Sequence, residues 1–359
     1  MRLLLLIASV SVFADSHRPD LELPDCYPRV YNAPANVDVA CGWDLFARSS
    51  AIYWRVSQDY MDAGRSAQFS AGGAIPAVDA KSVYPDFSYK PGFKVGLGAE
   101  SIFDHWSLLL EYTWLHQKTS HSTGPFPSAI GTGEKIWIPN DWFNTLSTSA
   151  PAAQAAQINN DWKMHLDQFD LLFTLPFYES PSGIIYHYGG LRSVWIRQTY
   201  TIEALLAEDL AAPPAISVNS SKSWSIGPVV GIAVHSLFKW GFHFEGMTKF
   251  SLLYTRFTEL FHHENDQGFG GTAAIAGSMA PYGCLRPISE FGLGFGWGSY
   301  FGCARYHVDI GARYDFNILW NQNMLRQTVG SLADNLIGYA NAAGNLYLHG
   351  LTVDAALNF

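Results

Sequence analysis

Charged side chains are scarce in this chain of 359 residues. Lys, Arg, Asp and Glu together make up 15% of it, whereas an ordinary soluble domain carries about 25%. Basic residues are the minority, 22 against 31 acidic ones, which gives a net charge of -9. No basic stripe appears along the linear sequence, so nucleic acid is not expected as a partner.

Long apolar runs are also missing. No stretch of about 18 uninterrupted apolar residues occurs after the N-terminal segment, so the sequence predicts no helical membrane span. The mean hydropathy of +0.03 agrees with that reading. Both observations are compatible with membrane strands, because half of each such strand faces lipid and half faces a polar lumen.

Motifs of the common enzyme classes are absent. The sequence contains no GxSxG, P-loop or HExxH arrangement, and no GxGxxG in a strand-to-helix context. The densest cluster of reactive side chains is His262, His263, Glu264 and Asp266, which falls in a predicted loop without a third group at fixed spacing. We expect a solvated loop there, and therefore no enzyme, no metal and no cofactor.

Regular alternation is what the chain does have. In the last nine residues, Leu351, Val353, Ala355, Leu357 and Phe359 alternate with small or polar residues, which predicts a strand with one apolar face. A strand in a soluble sandwich is the alternative. In an outer-membrane barrel an aromatic end on the lipid face is expected, and the predicted membrane-insertion signal consists of Phe359, Leu357 and Val353.

Ten segments alternate over the length that a membrane strand needs, about 9–11 residues. They are residues 49–61, 87–101, 106–118, 162–175, 184–200, 222–236, 241–256, 287–299, 303–319 and 345–359.

The gaps between these segments are long and short in turn. The long gaps are 62–86, 119–161, 201–221, 257–286 and 320–344. This predicts an all-β protein, a transmembrane antiparallel β-barrel of about 10 strands over residues 49–359, with short periplasmic turns and long extracellular loops. Eight or twelve strands are the alternatives.

Within the second long gap, the Ala- and Gln-rich residues 150–158 predict a short surface helix.

The N-terminus predicts export. Met1 and Arg2 precede an apolar run over residues 3–12, and a small-residue cleavage pattern follows before Asp15. We expect a signal peptide at 1–14, cleaved on export to the outer membrane of a Gram-negative bacterium. Residues 15–48 fit no spanning strand and are expected to form a lead in the periplasm or in the lumen.

The polar faces of the strands define the expected lumen. A plugged barrel would pair these charges, and a water-filled pore would keep them hydrated to bias ion passage. Glycines that share the polar faces, above all those of 287–299, leave space near the wall, which favours a lumen with some open volume and is also compatible with a loop packed inside. The candidate lumen-lining residues are Lys94, Glu100, Glu111, Asp170, Glu245, Lys249, Glu290, Arg305, His307, Asp309, Arg313, Asp315 and Asp354.

Four cysteines are present. Export permits disulfides, and the local candidate pair is Cys26 and Cys41 in the lead. Cys284 and Cys303 lie at opposite ends of one predicted strand and should not pair with each other, which leaves disulfide-linked neighbours open.

Tryptophans near strand ends predict aromatic girdles at the two membrane interfaces; they are Trp106, Trp114, Trp162, Trp195, Trp240, Trp297 and Trp320.

An ordered set of short segments resembles the Legionella-type major outer membrane protein family, which has relatives in chlamydia-like bacteria. The resemblance covers about residues 43–359 and implies an abundant outer-membrane barrel with pore-forming activity and no catalytic residues. Residues 15–42 match nothing of this family. The segments are DFSYKPGFKVGLG from Asp86, YTWLH from Tyr112, GLR from Gly190, IGPVVG from Ile226, SLLY from Ser251, NQNM from Asn321 and GLT from Gly350.

These observations lead to a porin-like channel for ions and small hydrophilic solutes as the first hypothesis. The alternative is a structural or adhesive surface protein with a barrel anchor and a plugged lumen, and an outer-membrane hydrolase is a third reading. Expected partners are outer-membrane lipid and lipopolysaccharide, the barrel assembly machinery, and either a homo-oligomer or disulfide-linked neighbours.

Overall fold

The structure is a computed structural model. It describes residues 37, 39, 44–70, 73–76, 81–101, 106–124, 135–139, 142–143, 155–206, 213–265, 274–279, 281–303, 305–325 and 343–359. The predicted signal peptide at 1–14, residues 15–36 of the predicted lead, and the cysteine pair Cys26 and Cys41 lie outside the described residues.

Strands dominate the described chain. Ten of them are long and form a ring, and the others are short. In chain order the strands are β1 (Asp44–Gln58), β2 (Gly64–Ser70), β3 (Gly73–Pro76), β4 (Ser82–Val83), β5 (Tyr89–Glu100), β6 (Ser107–Ser122), β7 (Lys135–Ile138), β8 (Ala155–Ser180), β9 (Gly183–Leu206), β10 (Ala215–Leu237), β11 (Phe242–Asn265), β12 (Ala274–Met279), β13 (Tyr282–Phe301), β14 (Tyr306–Asn323) and β15 (Gly344–Asn358).

The ten long strands close into an antiparallel barrel, as the alternation predicted. Their order around the ring is β1, β5, β6, β8, β9, β10, β11, β13, β14 and β15. The last strand returns to the first, with Thr352 opposite Ile52. Closure leaves no free edge in the ring, so every strand of the barrel has two hydrogen-bonded neighbours.

The first strand starts earlier than predicted. β1 begins at Asp44, so residues 44–48, which were assigned to the lead, belong to the barrel wall. Phe46 is buried inside against Leu109 and Leu172. An apolar side chain on the inner face interrupts the apolar-out pattern, and this hid the start of the strand.

Several strands are much longer than a membrane requires. β8 has 26 residues, which is roughly 85 Å of chain at about 3.3 Å per residue. Most of the predicted gaps at 201–221 and 257–286 are strand, and residues 155–158, expected in a helix, begin β8. The helix prediction was wrong there.

The two faces of β8 exchange character along its length. From Phe169 to Phe173 the outward residues are apolar and Asp170 points inward. From residues 161 to 167 the outward side chains are polar, and Trp162, Met164 and Leu166 are buried inside. We call the part of the barrel next to the short turns, where the outward residues are apolar, the membrane zone. The part next to the long loops, where the outward residues are polar, is the outer extension. Trp162, predicted at an interface, instead lies within the outer extension.

The interior of the outer extension contains an apolar core beside buried polar side chains such as His262 and Glu264. The core combines wall residues such as Trp162 and Tyr200 with side chains from the connecting segments. The Trp142 Nε1–H donates to the Asp62 carbonyl at 2.6 Å, and the Tyr200 hydroxyl donates to the Met61 carbonyl at 2.8 Å. The connecting segments are therefore fixed inside the barrel mouth by apolar contact and hydrogen bonds.

Short strands continue the sheet beyond the ring at the long-loop end. β2 pairs with β7, β7 pairs with β8, and β12 pairs with β11. In the described ranges, no helix is long and apolar enough to cross a membrane.

Candidate functional site in the barrel lumen

The structure places twelve of the predicted lumen residues on the inner face of the wall. Each of them is buried or lines an interior cavity. They are Lys94, Glu100, Glu111, Asp170, Glu245, Lys249, Glu290, His307, Asp309, Arg313, Asp315 and Asp354.

Arg305 is the exception, and its assignment to the lumen was wrong. Its backbone N–H lies 3.4 Å from the Gly302 carbonyl, in the turn that joins β13 to β14. Gly302 and Cys303 both have φ of 59°, a left-handed conformation that ends a strand. β14 therefore begins at Tyr306 rather than at residue 303, and the Arg305 side chain is exposed.

A buried arginine that the sequence reading missed lies at the centre of the first ionic cluster. Arg192 donates from Nε to Asp170 Oδ1 and from Nη2 to Asp170 Oδ2, both at 2.7 Å. It also contacts Glu290 and donates to the Ser251 hydroxyl at 3.2 Å. Arg192 lies within the predicted strand 184–200 and is the register partner of Asp170. The inward positions that follow it are the apolar Val194 and Ile196, so this part of the segment shows no polar face.

A second cluster surrounds Arg313. Its Nε donates to Asp315 at 2.9 Å, and its Nη1 lies 3.4 Å from both Glu245 and Asp354. The Thr352 hydroxyl donates to the other Asp315 oxygen at 2.6 Å. This cluster links β11, β14 and β15 through one cation that contacts three carboxylates.

Two lysines complete this layer of charge. The Lys94 ammonium lies 4.8 Å from the centre of the Trp54 ring, and the Lys249 ammonium lies 5.1 Å from that of Tyr188. Both are close enough for cation–π attraction, which is stronger where water is excluded. The two clusters and these lysines form what we call the ionic layer.

Side chains of the neighbouring strands lie close to the glycines of β13, although Gly292 also lines an interior cavity, as the expectation of open volume requires. A Cβ atom on Gly292 would lie 2.7 Å from Asp315 Oδ1, and one on Gly298 would lie 2.8 Å from Asp309 Oδ2. Side chains of the neighbouring strand lean across the glycines and occupy that volume. The small residues therefore permit close packing along most of β13.

A cavity of about 200 Å³ remains in the membrane zone, on the short-turn side of the ionic layer. Charged groups of both signs line it, among them Arg48, Glu245, Asp309 and Asp354, together with His243. On its other side lie the ionic layer and then the apolar core. The described interior thus has three levels: a polar cavity, a layer of paired charges and an apolar plug.

The cluster around His262 is not a solvated loop. His262 and Glu264 belong to β11 and are buried in the outer extension. His262 Nδ1 lies 2.8 Å from Asn219 Oδ1, and its Nε2 lies 3.3 Å from Glu264 Oε2. Asp266 lies outside the described residues. In the part of the chain that the structure describes, no three His, Cys, Asp or Glu side chains are placed to hold a metal ion.

The remaining predicted residues lie on the outer wall or near it. Phe359, Leu357 and Val353 point outward, and the backbone of Phe359 exchanges two hydrogen bonds with Leu45 of the first strand. Cys284 has a free thiol and Cys303 is disulfide-bonded, so these two do not pair with each other.

An apolar outer band, a charged inner face and a closed ring of ten antiparallel strands define a transmembrane β-barrel of the outer-membrane type. The chain belongs to the family described as the Legionella pneumophila major outer membrane protein precursor, which it matches over residues 38–359. This agrees with the resemblance noted in the sequence and makes the chain an outer-membrane barrel protein.

Solved structures of other outer-membrane barrels are similar at a lower level. The outer membrane protease OmpT from Escherichia coli is 12% identical with a TM-score of 0.39, covering 89% of this chain and 98% of that one. A major outer membrane protein from Thermus thermophilus is 8% identical with a TM-score of 0.30, covering 89% and 100%. At these scores the likeness does not bear on function. No curated protein matches the chain.

Proposed function

We propose that this chain is a structural surface protein: a barrel anchor with a closed lumen that displays its outer extension outside the cell. The observation that supports this most is the filling of the described interior at two successive levels, the ionic layer and the apolar core. This is the plugged-barrel alternative of the sequence reading rather than its first hypothesis.

The ionic layer resists opening because its charges depend on one another. Arg192 is fully buried, and its contacts come from β8, β11 and β13. Separating such a buried pair leaves a charge without compensation and costs about 3–5 kcal/mol. Thermal motion of a single side chain therefore does not open a water-filled passage through this layer.

The apolar core closes the next level. Trp142 and Phe143 come from a connecting segment and are buried among wall residues such as Tyr200 and Trp162. A channel for hydrophilic solutes needs polar groups that replace lost hydration along its path. Apolar side chains inserted from a loop serve stability and not passage.

A porin-like channel for ions and small hydrophilic solutes is the second candidate. The cavity of about 200 Å³ with its charged lining favours it. Conduction would require the ionic layer and the plug around Trp142 to move together. We propose no catalytic role, since His262 and Glu264 are buried away from any substrate.

Solute flux into proteoliposomes separates the two candidates. Folded protein, checked by its heat-dependent shift on gels, is reconstituted and mixed with arabinose, glycine or KCl while vesicle swelling is followed. A closed anchor leaves swelling at the rate of empty vesicles. Swelling that decreases with solute size would overturn the closed-lumen proposal and support the porin.

A further inference from the structure

Basic side chains are concentrated on the outer surface of the outer extension, directly beyond the apolar band. They belong to five adjacent strands of the ring and all point outward. We call them the basic belt: Lys118 on β6, Lys163 on β8, Arg197 on β9, Lys222 on β10 and Arg256 on β11.

Like charges face each other in this belt. Lys118 is the register partner of Lys163, and Arg197 is the partner of Lys222. Like charges directly opposite each other on one face of a sheet repel and destabilise the pair. In a chain with a net charge of -9, two such pairs on four adjacent strands favour an anion that offsets the repulsion.

The carboxylates within the belt do not balance it. Asp161 lies 3.2 Å from the Lys118 ammonium but 3.9 Å from that of Lys163. Asp167 lies 3.7 Å from Arg197. The shortest of these contacts joins Lys222 to Glu259, at 2.6 Å.

Exposure keeps the belt available to a ligand. The four side chains of Lys118, Lys163, Arg197 and Lys222 are 62%, 52%, 58% and 50% exposed. Five cations thus stand against these three carboxylates, and the excess is open to the surroundings of the barrel.

Tryptophans mark the depth of the belt in the membrane. Trp114, Trp195 and Trp224 point outward and lie closer to the apolar band than the basic residues of their strands. Tryptophan is enriched where acyl chains meet headgroups. The belt therefore lies at the height of the headgroups of the outer leaflet when the long loops are outside the cell.

We propose that the basic belt binds the phosphate groups of lipopolysaccharide in the outer leaflet. Lipopolysaccharide is the partner of matching chemistry, since it presents phosphates just above acyl chains that the tryptophans contact. Arginine and lysine are the side chains that bind phosphate best. The inference does not depend on whether the lumen is closed.

The opposite side of the barrel supplies a comparison. There the outward positions near the same end hold Tyr53, Tyr89, Tyr314 and His349, with Arg55 among them. Among the described residues the basic excess on the outer wall thus lies in one sector, which makes the lipid site a local feature instead of a general property of the rim.

The test is a titration of purified folded protein in neutral detergent with rough lipopolysaccharide. Native mass spectrometry measures the fraction of protein that has lipid bound. The triple variant Lys163→Gln, Arg197→Gln, Lys222→Gln should have a dissociation constant for lipopolysaccharide that is higher by on the order of 100-fold. Each charge removed contributes about a tenfold loss of affinity or less. Raising the salt concentration should weaken wild-type binding, because these charges are exposed.

A matched control removes the same charge elsewhere. The variant Arg55→Gln, Arg65→Gln, Lys81→Gln takes three exposed cations from outside the belt and should change affinity by less than about threefold. An equal loss in both triple variants, or no loss in the belt variant, would overturn the proposal. Both variants are first checked for the wild-type heat-dependent gel shift.

Two further arms identify the source of the phosphate. Dephosphorylated lipopolysaccharide should bind wild-type protein as weakly as the intact lipid binds the belt variant. Inorganic phosphate at the same phosphate concentration should not displace the lipid. Displacement by inorganic phosphate would show that the belt recognises free phosphate as well as it does the lipid, and full binding of the dephosphorylated lipid would show that the lipid phosphates are not recognised. Either result would overturn the proposal.

Discussion

Arg192 and Asp170 face each other across β8 and β9 and form a bidentate ion pair, with both N···O distances at 2.7 Å and side chains that are 0% and 1% exposed. Such a pair fixes two planar groups in one geometry. It does so in the middle of the lumen, where an open pore would have water. This relationship connects the stability of the barrel with the proposal that its interior is closed.

Replacing Arg192 with Met should destabilise the folded barrel strongly. Asp170 and Glu290 would be left as buried charges, at a cost of about 3–5 kcal/mol. The temperature at which the folded gel band disappears should fall. The matched variant with Asp170→Asn and Glu290→Gln added should recover much of the loss, because the uncompensated charges are gone. Equal stability of wild type and Arg192→Met would contradict the assigned role of this pair.

Trp142 should contribute more to stability than a surface tryptophan. Its ring contacts Tyr200 at 5.1 Å between centroids and is fully buried, so Trp142→Ala should cost about 3–5 kcal/mol. Trp240 is 76% exposed, and Trp240→Ala should change the free energy of unfolding by about 0.5 kcal/mol or less. Guanidinium unfolding in micelles, followed by circular dichroism, measures both. Similar small losses would mean that the plug is not packed as described.

Gly294 should tolerate no larger side chain. A Cβ atom there would lie 2.6 Å from the Ala312 carbonyl oxygen and 2.7 Å from the Arg313 Cα, both backbone atoms that cannot move aside cheaply. Gly294→Val should therefore reduce the amount of folded barrel in the outer membrane. Gly124→Val is the control, since nothing lies within 4 Å of a Cβ atom at Gly124. Normal yields of both variants would show that the wall of β13 is less tightly packed.

Much of the architecture follows from alternation in the sequence. In β6, Leu108 and Leu110 point to lipid while Glu111 points inward, as the pattern predicted, and the same argument located all ten ring strands. Period-two alternation is set by the residues of each strand and does not depend on how the loops fold. This is why the strand count and the orientation of most charged residues were predictable.

The filling of the lumen was not predictable in the same way. In β8 the inward residues change from Asp170 to Leu166 and Trp162. The sequence alone does not show at which residue the outer face of the strand leaves the lipid and enters water. Whether Trp142 inserts into the barrel depends on contacts between distant segments. Gly292 shows the same limit, since the space beside it is occupied by Asp315 of another strand.

Topology is tested by labelling intact cells. Epitope tags inserted at Gly131, Ala211 and Gly271 should be reachable by antibody, because the gaps that contain them lie at the long-loop end. A tag at Ser182, in the two-residue turn between β8 and β9, should react only after the outer membrane is permeabilised. Labelling of Ser182 on intact cells would reverse the orientation and with it the depth assigned to the basic belt.

Single-channel recording in planar bilayers tests the closed lumen most directly. Purified protein that shows the heat-dependent gel shift is inserted at low density and held at voltages of both signs in KCl. With the ionic layer around Arg192 and the plug around Trp142 in place, the recordings should stay silent. Discrete, reproducible conductance steps from the folded wild-type protein would contradict the closed lumen and establish the channel.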